Sequence, residues 1–200
     1  MRKSLNVIIL SLLFIFMLNS MVVASVGIEG ETTAYLLGDC ETGEILEGYN
    51  IDSIIEIASI TKLMSYIIVM EHVEKGLILL EDKVYMDGDI VQIKGSSLNL
   101  GEGEVFTVDE LLKASLVVSA NDATYAMAKY VAGTEENFVK LMIDKAKELG
   151  LDSAFFINST GLPEGEFQNK MSTEDIFKLS RYIISRYPQV LSITTIPYIE

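Results

Sequence analysis

From residue 61 the apolar positions settle into helical spacing, with Leu63, Ile67, Met70 and Val73 on one face. The pattern predicts a helix that opens at Ser59 and runs to about Lys75, where Gly76 offers a left-handed stop. Upstream, Thr33 to Cys40 and Ile45 to Tyr49 read as strands joined by the turn Glu41-Thr42-Gly43-Glu44, so a β-hairpin comes first. Downstream, Asp82 to Ile93 reads as short extended or irregular structure, and Gly95 to Gly103 as a loop. Thr107, with Glu110 three residues on, predicts a capped helix from Leu111 to Val118 that breaks near Ser119. An Ala- and Met-rich helix follows over Ala123 to Val131, then an amphipathic one over Glu135 to Leu149 that stops at Gly150. A brief extended piece at Phe155 to Ile157 leads into a Gly- and Pro-bearing loop, Asn158 to Lys170. Ser172 opens a last helix that reaches about Tyr187, before Pro188.

A hairpin followed by a largely helical middle predicts a mixed α/β (α+β) chain. Two strands alone leave a core face and an outer edge without partners. The remaining strands of the sheet are therefore expected after Glu200, and the chain reads as an incomplete domain.

Composition changes this picture first at the N-terminus. Arg2 and Lys3 precede an apolar run from Val7 to Leu18, and Val22-Val23-Ala24 offers small residues for cleavage. Residues 1–24 are predicted to be a secretory signal peptide, leaving 25–200 as the exported part. An uncleaved anchor is the alternative, although the run is short for a spanning helix. The chain carries a formal charge of −14, and the leader holds two bases and no acid, so the remainder is more acidic still. Such a chain gains little from nucleic acid or from anionic lipid headgroups. Cys40 is the only cysteine, which excludes an internal disulfide, and it reads as a small strand residue. His72 is the only histidine, and no Cys-x-x-Cys or His-Glu-x-x-His spacing occurs, so neither a metal nor a cofactor is expected. His72 also lies roughly 20 Å along the predicted helix from Ser59, which sets aside a Ser–His pair.

Two clusters carry candidate chemistry. Ser59 and Lys62 are three apart at a helix start, so they share a face. A buried lysine can lose its proton and serve as the base that a serine nucleophile needs, and the helix dipole favours an alkoxide there. The plainer reading is an N-cap serine and a solvated lysine, because one Ser-x-x-Lys match is not specific. Ser119 and Asn121 flank Ala120 at the break between two apolar helices. Their hydroxyl and amide could relay a proton and hold a peptide group, or could merely cap a helix corner.

Taken in order, Ala58-Ser59-Ile60-Thr61-Lys62, Gly95-Ser96-Ser97 and Ser119-Ala120-Asn121-Asp122-Ala123 resemble the penicillin-binding serine DD-peptidase superfamily. The wording is most similar to the low-molecular-weight D-alanyl-D-alanine carboxypeptidases. Phe138 to Gly150, the block Phe156-Ile157-Asn158-Ser159-Thr160-Gly161-Leu162 and Thr42-Gly43-Glu44 extend the resemblance to roughly residues 32 to 190. It implies the DD-peptidase/β-lactamase-like fold, an antiparallel sheet flanked by helices with a mostly helical subdomain. It also implies acyl transfer on peptidoglycan stem peptides. Ser59 would be the acyl-ester nucleophile, with its backbone N–H forming half of an oxyanion hole. Lys62 would be the base, Ser119 the proton relay and Asn121 the substrate-binding amide. β-Lactams would acylate Ser59 covalently. The implied location is extracytoplasmic, within the cell envelope at the outer face of the cytoplasmic membrane or in the periplasm, with peripheral membrane association in a longer form. The superfamily's Lys-Thr-Gly motif does not occur in the sequence, so the resemblance places it after residue 200. Two rival expectations remain. One is a class A β-lactamase using Glu164 or Glu166 on the late loop. The other is a protein of this fold that binds cell-wall peptides without turnover.

Overall fold

The computed structural model describes residues 27–198. The leader reading concerns residues outside that range. Contacts divide the chain into one unit ending at Thr33 and another from Ala34 onward, and every element below lies in the second.

Strands β1 (Tyr35–Gly38) and β2 (Ile45–Tyr49) form the expected antiparallel hairpin, with Tyr35 opposite Tyr49. In the connecting turn, the Asp39 carboxylate accepts from the Thr42 N–H at 2.6 Å and from its hydroxyl at 2.9 Å. Cys40 is in this turn and exposed rather than in the strand. The Asp39 turn ends β1 at Gly38, two residues before the expected Cys40.

Helix α1 (Thr61–Glu74) is the centre of the molecule, packed by α2 (Val108–Val117), α3 (Asn121–Ala132), α4 (Glu135–Glu148) and α5 (Thr173–Arg186). Its residues from Met64 to Met70 are buried without interruption, which is how a helix surrounded by others reads. The flanking helices start where their caps stand. Thr107 and Glu110 complete a capping box on α2, and the Thr134 and Ser172 hydroxyls accept from Asn137 N and Asp175 N to begin α4 and α5. Each of these three also carries two acidic residues in its first turn, where the helix dipole favours them. A short α6 (Val190–Thr194) closes the described chain.

Two further antiparallel ribbons are not read as pairs from the sequence, although Lys83–Tyr85 falls in the stretch read as short extended or irregular structure. β3 (Ile54–Glu56) pairs with β6 (Lys170–Ser172), and β4 (Lys83–Tyr85) pairs with β5 (Val105–Thr107). The first ribbon matters most, because it brings the chain just before Ser59 against the end of the 158–170 loop. Between helices, Lys145 is buried and salt-bridged to Glu71 of α1, and Arg186 reaches Glu74 at 2.8 Å. Among the described residues no helix is long and apolar enough to cross a membrane.

Candidate active site

Ser59 occupies a single 3₁₀ turn, Ala58–Ile60, held between β3 and α1. It is not the helix cap that its position suggested: α1 starts after Ile60 with no side-chain cap bond. The hydroxyl is directed at other partners. Lys62 Nζ lies 3.1 Å from Ser59 Oγ, and Ser119 Oγ donates to the same oxygen at 2.8 Å. Ser59 is exposed while Lys62 is only 1% exposed, so the nucleophile faces solvent and the amine behind it does not. Burial alone lowers the Lys62 ammonium from its ordinary value of 10.5 to about 8. About a tenth of the amine is thus neutral at pH 7. Its lone pair sits at hydrogen-bond range of the Ser59 hydroxyl.

Two residues next to the serines hold left-handed backbone without being glycine: Ala58 at φ +40° and Ser119 at φ +59°. Such a conformation stores on the order of 1 kcal/mol or more and persists only where surroundings enforce it. For Ala58 the enforcement is visible. Ile57 N–H donates to Asn169 O at 3.1 Å, and Gly161 backs directly onto the Ala58 carbonyl, leaving no space for a Cβ. For Ser119, the left-handed turn lies between the end of α2 and the start of α3, and it swings the hydroxyl toward Ser59.

Lys62 is covered by the loop that links α4 to β6. Its second hydrogen bond goes to the Thr160 carbonyl at 2.9 Å, and Ser65, one turn along α1, donates to the Ser159 carbonyl at 2.7 Å. Asn169, wholly buried, ties this loop together. Its Nδ2 donates to Thr61 Oγ1 at 3.0 Å and to Asn158 O at 2.9 Å, and its Oδ1 accepts from Ile157 N at 2.7 Å.

Asn121 opens α3 and makes its hydrogen bonds to the 94–96 loop rather than to the three residues above. Its amide donates to Lys94 O at 2.9 Å and its N–H to Ser96 O at 2.7 Å. Gly95 (φ +86°) passes so close that a Cβ there would lie 2.7 Å from the Asn121 amide nitrogen. Asp122, 1% exposed, receives Ser97 Oγ at 2.5 Å, Leu98 N at 3.2 Å and Leu100 N at 3.2 Å, and so pins the same loop from below. Asp122, Asn169 and the Thr160 carbonyl are the functional parts that the sequence reading missed. The signal available for Asp122 was its place beside Asn121 at the helix break; a capping role and a loop-holding role look alike there. Of the late-loop acids, Glu164 accepts from Asn158 Nδ2 at 2.9 Å and Glu166 is exposed.

Comparison with known proteins gives this arrangement its context. The family model for peptidase S11, D-alanyl-D-alanine carboxypeptidase, matches residues 21–200. The chain belongs to this family. Among S11 relatives it is 42% identical over 134 residues to the D-alanyl-D-alanine carboxypeptidase DacF of Bacillus subtilis, a match covering 67% of this chain and 34% of DacF. Its fold is similar to a peptidoglycan synthesis regulatory factor, PBP3, of Streptococcus pneumoniae. That structure superposes with a TM-score of 0.79 at 35% identity, over 84% of this chain and 50% of PBP3. It is also similar to penicillin-binding protein D2 of Listeria monocytogenes in its ampicillin-bound form, with a TM-score of 0.72, 32% identity, and 83% and 65% coverage. The chain spans between about a third and a half of the length of the curated S11 relatives it matches. The DD-peptidase fold expected from the motifs is therefore the observed one.

Proposed function

We propose that this chain carries the acylating centre of a penicillin-sensitive serine D-alanyl-D-alanine carboxypeptidase that trims peptidoglycan stem peptides outside the cytoplasmic membrane. The observation that carries the reading is the buried Lys62 amine, 3.1 Å from an exposed Ser59 hydroxyl that Ser119 approaches from the other side at 2.8 Å. Names of family relatives supply the substrate class.

The reaction follows from those positions. Ser59 Oγ adds to the carbonyl carbon between the two terminal D-alanines while its proton passes to the neutral Lys62 amine. As the tetrahedral adduct collapses, the C–N bond breaks and the proton moves from Lys62 through the Ser119 hydroxyl to the departing amine. D-Alanine leaves, and water then hydrolyses the Ser59 ester. In this reading Asn121, tied to the 94–96 loop, orients the acyl donor. A β-lactam carries its own strained amide to the same oxygen and forms the same ester.

Labelling with a fluorescent penicillin tests the proposal, read by intact mass and peptide mapping beside Ser59→Ala. A stoichiometric adduct on Ser59 that disappears in the variant is the expected result. A folded chain that takes up no label would overturn acylation by these 200 residues and favour peptide binding without turnover.

A further inference from the structure

The Lys62 amine depends on a backbone carbonyl that no strand or helix holds, so its orientation must be set by side chains around the 158–161 loop. Asn158 shapes the tip, accepting from Gly161 N at 2.8 Å. Ser159 is gripped on both sides. Its carbonyl accepts from Ser65 Oγ of α1 at 2.7 Å, while its N–H and hydroxyl both donate to Glu135 Oε1, at 2.9 Å and 2.5 Å. Glu135 is the first residue of α4, and α4 packs on α1. The peptide linking Ser159 to Thr160 is thus fixed between two packed helices, and its next carbonyl is the one that Lys62 meets.

We propose that Glu135 is a positioning residue for the Ser59–Lys62 pair: through Ser159 it fixes the Thr160 carbonyl that orients and covers the Lys62 amine. The inference deepens the acylation reading and rests on it for its functional meaning. Glu135 acts by geometry rather than by its charge. The Lys62 ammonium is depressed by burial alone, with no carboxylate acting on it. Burial chiefly raises the Glu135 carboxyl, the Ser159 hydrogen bonds oppose it, and the charges of Glu164 and Glu136 raise it further. Tyr125 of α3 is the other titratable group that feels it. The bonded oxygen accepts in either protonation state.

Releasing Ser159 lets water reach Lys62, and solvation returns an ammonium toward its ordinary value. The test is a ¹³Cε NMR titration of Lys62 in the whole chain, together with penicillin acylation rates across pH, for wild type, Glu135→Ala, Glu135→Gln and Glu135→Asp. In Glu135→Ala the Lys62 midpoint is expected to rise and acylation at neutral pH to slow by on the order of tenfold. Glu135→Gln, which keeps the accepting oxygen, should restore both. A merely structural role would lower the folded fraction and leave the midpoint and the rate per folded molecule unchanged; that result overturns the inference. Should Glu135→Ala fail to fold, Glu135→Asp withdraws the accepting carboxylate by one methylene from both Ser159 donors, and a midpoint and rate unmoved there overturn the inference. A shifted midpoint in a chain whose wild type takes no label would sustain the positioning role and reject acylation.

Discussion

Lys62 is asked to be a base in a site that must also tolerate it as a cation, and burial sets the compromise. Acylation requires the neutral amine, so its rate should climb with pH through a midpoint near 8, where the ammonium is placed by desolvation. The same shift couples to stability. The folded chain releases this proton near 8 and the unfolded chain near 10.5, so between those values the unfolded state holds more protons. Stability contributed by this group therefore rises with pH across that window and is absent below it. Against Lys62→Met, which should not acylate at all, wild type is expected to gain on the order of 3 kcal/mol between pH 7 and pH 10.5. Urea unfolding of both proteins across that range checks the sign. A constant difference would mean that the amine is better hydrated than its 1% exposure indicates.

The site elements are two loops, and each has a buried polar side chain among its anchors. The 94–100 loop hangs on Asp122, and the 157–169 loop hangs on Asn169. Replacing Asp122 by Ala strands three donors, Ser97 Oγ, Leu98 N and Leu100 N. The expected loss is about 2–4 kcal/mol, with a further loss of acylation because Asn121 is located by that loop. Thermal unfolding and penicillin labelling of the folded fraction measure the two separately. These anchors also mark where the sequence stopped being informative. Helices α2 and α5 were legible because a cap and an apolar period agree at each start, and α4 because an amphipathic period runs to the Gly150 stop. Ser59, Lys62, Ser119 and Asn121 were singled out by a family resemblance across several blocks, since their spacing alone is not specific. The ribbons β3–β6 and β4–β5 are three residues per strand, too short to show alternation, and exist through distant pairing. The Thr160 carbonyl could not be found from residue type, since every residue has one. Asn169 meets Thr61 across 108 positions of sequence with no local signature. Cys40 was misplaced for a related reason: an Asp39–Thr42 turn competes with strand extension and wins.

At the scale of the whole molecule, a formal charge of −14 opposes compaction, while the ion pairs that link helices are few. Raising ionic strength from about 10 mM to about 150 mM shortens the reach of that repulsion to roughly 8 Å. The thermal midpoint is therefore expected to rise with added sodium chloride; calorimetry showing a fall would mean that the exposed pairs outweigh the net charge.

The partnership of Lys62 with Thr160 spans 98 positions of chain. While the polypeptide is still unfolded, Lys62 stands in water as an ordinary ammonium, and the serine beside it has no proton acceptor. The environment that depresses the ammonium exists only once the chain as far as Asn169 has closed over it. On the proposed reading, completion of the tertiary structure is itself the step that arms Ser59.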